Sequence, residues 1–82
     1  MNKPYIPIPC DIYTCYELAI LRRQSLRVVW RGARGIDHIE RLRPMDLRTR
    51  AGGEYMIARN LLGQRRVMRL DRIKGSEALP SP

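Results

Sequence analysis

The 82-residue chain contains no Phe, only one Trp, one His and two Cys. Nowhere do 18 apolar residues follow one another, and the first residues lack the charged start and the long apolar run of a signal peptide. A membrane-spanning helix needs about 20 apolar residues, and secretion needs such a leader. We therefore expect a cytoplasmic protein with no membrane partner.

Cysteine and histidine are too few for a zinc site. Cys10 and Cys15 do not form a Cys-x-x-Cys motif, and the chain has no second His to complete such a site. The two cysteines lie five residues apart across the start of a predicted helix, which places them poorly for a disulfide. We expect reduced, partly buried thiols and neither a metal nor another cofactor.

The chain also lacks a recognisable catalytic group. Its eight acidic residues are spread singly along the sequence, and His38 has no Ser or Cys nucleophile near it. General acid and base catalysis needs paired carboxylates or a His with an orienting partner. The glycines fall in turns and none opens a helix, so no phosphate-binding loop is predicted. These absences predict a binding protein and not an enzyme.

Negative charge is scarce relative to positive charge. Sixteen Lys or Arg residues oppose eight Asp or Glu residues, which gives a formal net charge of +8, and 14 of the sixteen are Arg. This excess favours a polyanionic partner, most often RNA or DNA, because basic contacts to phosphates release bound counterions. The alternative is that the arginines only cover the solvent-facing sides of a small sheet.

One helix is predicted, near the N-terminus. Pro7 and Pro9 hold the preceding chain extended, and Asp11 is a residue type that caps the first turn of a helix. No Gly or Pro then interrupts the chain as far as Leu21. The apolar residues recur at helical spacing along one stripe; these are Ile12, Cys15 or Tyr16, Ala19 and Ile20.

After the helix the hydrophobic period changes from helical to strand-like. Leu26, Val28 and Trp30 recur at every second residue, the repeat of a strand with one face toward a core. Trp30 is predicted to lie in the core or at its rim. The alternative is an exposed ring on which nucleic-acid bases stack.

Glycine and proline divide the rest of the chain into short strands. Gly32 to Gly35 predicts a hairpin turn, and Pro44 is expected to end the second strand because proline cannot donate to a ladder. A bulge in that strand would reconcile its apolar positions. The fourth strand is apolar on both parities, as in a central strand covered on both sides, with the helix as one cover. The predicted strands are residues 36–43, 46–50, 54–59 and 65–70, with a short element at 71–73.

These elements predict a mainly β fold of the α+β class. The simplest way to bury the pattern is a small, strongly bent antiparallel β-barrel of about five strands, capped by the one N-terminal helix. The length suffices for a single domain. We expect that domain at residues 1–73, and a flexible tail from Lys74 to Pro82, where Gly, Ser and Pro are frequent.

Several segments between Tyr5 and Ile73 together form a recognisable series. It begins with a signature between Tyr5 and Ala19 and continues in a fixed order and spacing to Ile73. The residues of the series are Tyr5, Pro7, Ile8, Cys10, Asp11, Tyr13, Glu17, Leu18 and Ala19, then Asp46-Leu47, Glu54-Tyr55, Gly63 and Arg69-Leu70-Asp71-Arg72-Ile73. In this series the chain resembles the Rof family, the Rho-binding antiterminators of bacteria.

The resemblance implies an Sm-like β-barrel and a function in transcription antitermination. The protein would bind, as a monomer, the N-terminal RNA-binding domain of the Rho helicase and so reduce Rho-dependent termination. Carried over by position, Asp11 and Glu17 would contact Rho, with Tyr13 as an aromatic anchor. The alternative for two of these is structural, with Asp11 only capping the helix and Tyr13 only packing.

A second function remains open, in which the basic barrel binds RNA or DNA directly. Arginines near the first strand and near the end of the chain would then contact phosphates. A third is that the basic face docks on an acidic protein. The predicted phosphate-binding residues are Arg27, Arg31, Arg65, Arg66, Arg69 and Arg72.

Overall fold

The computed structural model describes residues 4–80 and contains one helix and five strands. The predicted fold class, mainly β with a single N-terminal helix, is confirmed. In chain order the elements are α1 (Cys10–Leu21), β1 (Leu26–Arg31), β2 (Asp37–Arg50), β3 (Gly53–Asn60), β4 (Arg65–Arg69), a 3-10 helix (Leu70–Arg72) and β5 (Ile73–Ala78).

The five strands form one antiparallel sheet in the order β4-β3-β2-β1-β5. β4 and β5 therefore lie at opposite edges, yet only the 3-10 helix Leu70–Arg72 joins them. In a flat sheet these edges would be about 19 Å apart, four strand spacings. The connection from Arg69 to Ile73 reaches at most about 14 Å. The sheet must therefore curl toward a barrel so that its two edges approach each other.

The core fills the inside of this curled sheet. β1 contributes every second residue, which are Leu26, Val28 and Trp30, as its two-residue repeat predicts. Trp30 is 8% exposed, so its predicted place in the core is confirmed. Each fully buried large apolar side chain contributes about 1.5–3 kcal/mol to folding. The other buried members are Tyr16 and Ala19 of α1, Leu42 of β2, Met56 and Ala58 of β3, Met68 of β4, and Leu70.

The helix begins one residue before the predicted cap. Pro9 is the N-cap residue, and its carbonyl oxygen accepts hydrogen bonds from the N–H groups of Ile12 and Tyr13, both at 3.1 Å. Asp11 lies inside the first turn and makes no capping hydrogen bond, so its predicted capping role is wrong. A carboxylate in the first turn still interacts favourably with the positive end of the helix dipole.

The second and third predicted strands are one continuous strand, β2, and Pro44 does not end it. Pro44 is buried within β2 and lies opposite Ala58. The register shifts between Pro44 and Asp46, which leaves Met45 as the extra residue of a bulge. A bulge tolerates the missing proline N–H because the ladder is already interrupted there. The bulge predicted within residues 36–43 is wrong, because β2 pairs with β1 there without a register shift, and the observed bulge lies after Arg43.

The C-terminal segment is more ordered than predicted. Ile73–Ala78 forms β5, which pairs with the free edge of β1 from Trp30 back to Leu26. The flexible tail is therefore wrong for residues 74–78, and the domain extends past Ile73. Most side chains of β5 are exposed and Ile73 packs against the core, so β5 is held mainly by its backbone hydrogen bonds to β1. The Gly and Ser residues of this segment do not predict a strand. Residues 81 and 82 lie outside the described residues.

Two smaller predictions are also corrected. Cys10 and Cys15 are free, as expected, but both are exposed and not partly buried. The helix packs against β2, so it does not cover the outer side of β3, where Tyr55 and Ile57 remain partly exposed. Within residues 4–80, no helix is long and apolar enough to cross a bilayer.

Candidate nucleic-acid interface

The outer side of β2, β3 and β4 carries arginines around a small apolar centre. Residues opposite each other on neighbouring strands point to the same side of a sheet. The register aligns Arg48 with Tyr55, and Ile57 with Val67. We call this surface the arginine face; it comprises Arg48, Thr49, Arg50, Tyr55, Ile57, Arg65 and Val67, which line one open pocket of about 600 Å³.

The centre of the arginine face combines an aromatic ring with aliphatic side chains. Tyr55 and Ile57 are partly buried, and Val67 is 51% exposed. Aromatic rings on a sheet surface stack the bases of single-stranded nucleic acids, while surrounding basic groups contact the phosphates. The arrangement therefore supplies both kinds of contact that such a ligand requires.

Most of the positive charge on this face is not neutralised within the protein. Arg50 and Arg65 form no ion pair with any described residue. Arg48 Nε lies 2.7 Å from Asp46 Oδ2. The hydrogen bond from Arg48 lowers the pKa of Asp46. Both side chains are largely exposed, so this pair is weak and screened by salt.

The positive surface continues beyond the pocket. Arg43 lies opposite Arg59, and Arg59 lies opposite Arg65, which forms a row of three arginines across β2, β3 and β4. Arg59 Nη1 donates a hydrogen bond to the carbonyl oxygen of Gly63 at 2.7 Å, which orients its guanidinium at the β3–β4 turn. Arg43 thus provides a further basic side chain on β2, beyond the end of the arginine face.

The six arginines predicted to bind phosphates do not form one surface. Arg65 lies on the arginine face, whereas Arg66 points to the opposite side and its Nε lies 2.9 Å from Glu40 Oε1. Arg27 is on β1, 4.0 Å from Glu77 Oε2. The remaining three, Arg31, Arg69 and Arg72, border a smaller pocket of about 230 Å³ that shares Tyr55 and Val67 with the arginine face.

Arg48 and Arg50 were missed by the sequence interpretation. Their spacing of two, followed by the apolar strand β3, was an available signal. Because Pro44 was expected to end a strand, Arg48 and Arg50 were not assigned to the outward side of one long strand, β2. Their position relative to Tyr55 depends on the register after the bulge, which the sequence does not specify.

The three predicted Rho contacts are also separated. Asp11 and Glu17 are exposed, and Tyr13 is partly buried and packs against the core. Six residues along a helix correspond to a rotation of about 120° between the two acids, so they do not share one stripe. Tyr13 does lie near Glu17: its pKa is raised by burial and by the negative charges of Glu54, Glu17 and Asp46.

A bidentate ion pair attaches the N-terminal strap, residues 4–9, to the barrel. Arg69 Nε lies 2.8 Å from Asp71 Oδ1, and Arg69 Nη2 lies 2.6 Å from Asp71 Oδ2. The two side chains are only 11% and 7% exposed. Asp71 Oδ2 also accepts the N–H of Ile6 at 2.9 Å, and Arg69 Nη2 donates to the carbonyl oxygen of Pro4 at 3.1 Å. The pair thus connects the strap to the end of β4.

Tyr5 provides a second attachment of the strap. The Arg69 guanidinium lies over its ring, 5.7 Å from the centroid, and its hydroxyl donates a hydrogen bond to Glu54 Oε1 at 3.1 Å. Burial, followed by the hydrogen bond to Glu54, raises the pKa of Tyr5 to about 12. The ring contact and the hydrogen bond fix the strap at the start of β3.

Residues 14–78 match the family described as the WYL domain. The chain belongs to the WYL domain family. The match begins inside α1 and includes all five strands, and β5 is therefore part of the WYL domain. This family is associated with transcription regulators, and membership points to a regulatory role in which the domain senses a ligand or a nucleic acid. No curated protein matches the chain. The match does not confirm the Rof family, and Rho binding stays a prediction.

Replacing Asp71 by Asn tests the attachment of the strap. Hydrogen bonds from Arg69 lower the pKa of Asp71 below its ordinary value of 3.8. A lowered folded-state pKa contributes stability that is complete above the unfolded-state pKa, about 3.9, and is lost as the pH falls through the folded-state pKa. We expect Asp71→Asn to be less stable than the wild type at pH 7, with the difference shrinking below about pH 4.

Urea unfolding from pH 7 down to acidic pH measures this difference. Glu17→Gln is the matched control, since Glu17 is exposed and forms no ion pair with a described residue. A loss of stability in Asp71→Asn that is the same at acidic and neutral pH would contradict an ionic role for the pair.

Proposed function

We propose that this WYL domain binds a single strand of RNA or DNA on the arginine face, as a sensing module in transcription regulation and not as an enzyme. The observation that carries the proposal is the pair of arginines without ion partners, Arg50 and Arg65, on either side of Tyr55 in one open pocket. The strand places its phosphates near the arginines and one base on Tyr55.

A single strand fits this face better than a duplex. In a duplex the base faces are stacked on one another, so the apolar centre of Tyr55, Ile57 and Val67 would have no base to contact. Single strands expose base faces, and stacking on an aromatic side chain contributes about 1–3 kcal/mol per base. The apolar centre is therefore used only by a strand with unstacked bases.

The charge of the whole chain supports the same partner. A net charge of +8 attracts a polyanion from a distance and raises its association rate. Guanidinium groups also form bidentate contacts to phosphates, which lysines do not. Tyr55 is the one aromatic ring on the described arginine face, so we expect weak sequence preference.

Removing two arginines from the face should reduce the salt dependence of binding. For a single-stranded ligand, each lost phosphate contact lowers the slope of log K against log salt by about 0.7. We expect Arg50→Gln/Arg65→Gln to bind a fluorescent oligo-U RNA or oligo-dT DNA more weakly and with a correspondingly smaller slope. Fluorescence anisotropy across a salt series measures both quantities.

A variant with the same change in charge provides the control for this experiment. Arg22 and Arg23 are exposed just after α1 and form no ion pair with a described residue. Arg22→Gln/Arg23→Gln should keep the wild-type slope. Equal losses in both double variants would mean that only net charge matters, and would overturn the assignment to the arginine face.

Rho binding is the second candidate function, and one observation favours it. Asp11 and Glu17 are exposed on α1 and form no ion pair with a described residue, so both carboxylates are available to a basic partner. Two features weigh against it. The acids lie about 120° apart around the helix, and the strongly basic barrel would repel a basic RNA-binding domain.

Charge reversal on the helix separates the two candidates. If the protein is an antiterminator, Asp11→Lys/Glu17→Lys abolishes its complex with purified Rho, because two attractive contacts become repulsive. If our proposal holds, the same variant binds the oligonucleotide at least as tightly as the wild type. Co-purification with Rho and anisotropy with the oligonucleotide measure the two outcomes. Tight Rho binding without oligonucleotide binding would favour antitermination.

A further inference from the structure

A third pocket lies between the N-terminal strap and the barrel, and the small pocket bordered by Arg31, Arg69 and Arg72 separates it from the arginine face. Its volume is about 470 Å³, and it is bounded by the strap, the turn between β1 and β2, and the 3-10 helix. We call it the strap pocket. Its basic side chains are Arg31, Arg69, Arg72 and Lys74, and Pro4 and Ile6 form its strap wall.

The strap pocket carries a surplus of positive charge. Arg31 Nε and Lys74 Nζ both bind the same carboxylate, Asp37, at 3.2 and 2.8 Å. Arg72 forms no ion pair with a described residue, and Arg69 is neutralised by Asp71. Arg31, Lys74 and Arg72 thus carry three positive charges against the one carboxylate of Asp37, which leaves two positive charges for a bound anion.

The other wall of the strap pocket is apolar. Ile6 is 71% exposed although it is aliphatic, and Pro4 lies beside it. On the far side Gly32 has no side chain; a Cβ there would come within 2.6 Å of His38 Nε2. A glycine at this position therefore allows the His38 ring to lie close to the backbone at the start of the hairpin turn. One side therefore suits a phosphate and the opposite side suits an apolar or aromatic group.

We propose that the strap pocket binds a small phosphate ester of mononucleotide size, distinct from the strand on the arginine face. Its volume lies in the range of small-molecule sites, about 300–1,000 Å³. The strap closes one side of the pocket. The carboxylates of Asp37 and Asp71 would also oppose the continuous charge of a passing strand, whereas a single phosphate group can bind at Arg72, which lines the pocket and forms no ion pair with a described residue.

The proposed ligand would also hold the strap in place. The wall of the pocket is attached by the N–H of Ile6 to Asp71 and by Arg69 to Pro4. A ligand that binds only the attached state stabilises that state. The strap lies outside the matched WYL segment, residues 14–78. Ligand binding in the pocket would therefore stabilise the attached state of the strap, which precedes α1.

The experiment uses ADP and inorganic phosphate as probes of the whole chain. Isothermal calorimetry should detect ADP binding that is tighter than phosphate binding, because ADP also contacts the apolar wall. Arg72→Gln/Lys74→Gln should weaken ADP binding at least tenfold. The matched variant Arg50→Gln/Arg65→Gln should leave ADP binding unchanged, even if the oligonucleotide result fails. Hydrogen exchange at the Ile6 amide should slow when ADP is added.

Three outcomes would overturn the strap pocket as a ligand site. The first is that ADP binding is absent or is no tighter than phosphate binding. The second is that ADP binding depends on Arg50 and Arg65, which would locate it on the arginine face. The third is that Arg72→Gln/Lys74→Gln weakens oligonucleotide binding and not ADP binding, which would make the pocket a continuation of the strand path. Circular dichroism confirms that each variant is folded.

Discussion

The short connection between β4 and β5 is the constraint on which the rest of the structure depends. Because only Leu70–Arg72 joins the two edge strands, the sheet has to curl. Curling encloses the core and leaves the outward residues of β2, β3 and β4 on one exposed surface. It also brings Asp71, at the corner, to the strap that enters α1. The two proposed binding sites therefore both follow from this single turn of the chain.

Charge distribution on the curled sheet determines what its outer surface can bind. Five of the eight acids form ion pairs with described residues, but none of these pairs involves Arg50 or Arg65. Nine of the 14 arginines form no ion pair with a described residue, and two of these, Arg50 and Arg65, border the same pocket as Tyr55, while Arg66 and Arg69 are neutralised by Glu40 and Asp71. Net charge alone would treat all 14 arginines as equivalent, and the pairing pattern distinguishes those that are available to a phosphate.

The hydrophobic periodicity predicted most of the secondary structure, and the features that it missed depend on strand pairing. The two-residue repeat of Leu26, Val28 and Trp30 defined β1 and its buried side. The predictions for Pro44 and for β5 were wrong for a common reason. A bulge allows proline inside β2, and the free edge of β1 supplies hydrogen-bond partners to β5. Neither can be read from the local sequence. Arg65 was predicted as a phosphate contact, but its neighbours Arg48 and Arg50 depend on strand register, which is a long-range property.

The most direct test of the central proposal is a map of the bound surface. An NMR titration of the ¹⁵N-labelled protein with a single-stranded oligonucleotide would record which backbone amides shift. We expect the largest shifts at Arg48, Tyr55 and Val67, with the exposed side of α1 at Asp11 and Glu17 unchanged. Shifts centred on α1, or shifts spread evenly over all exposed arginines, would contradict binding on the arginine face.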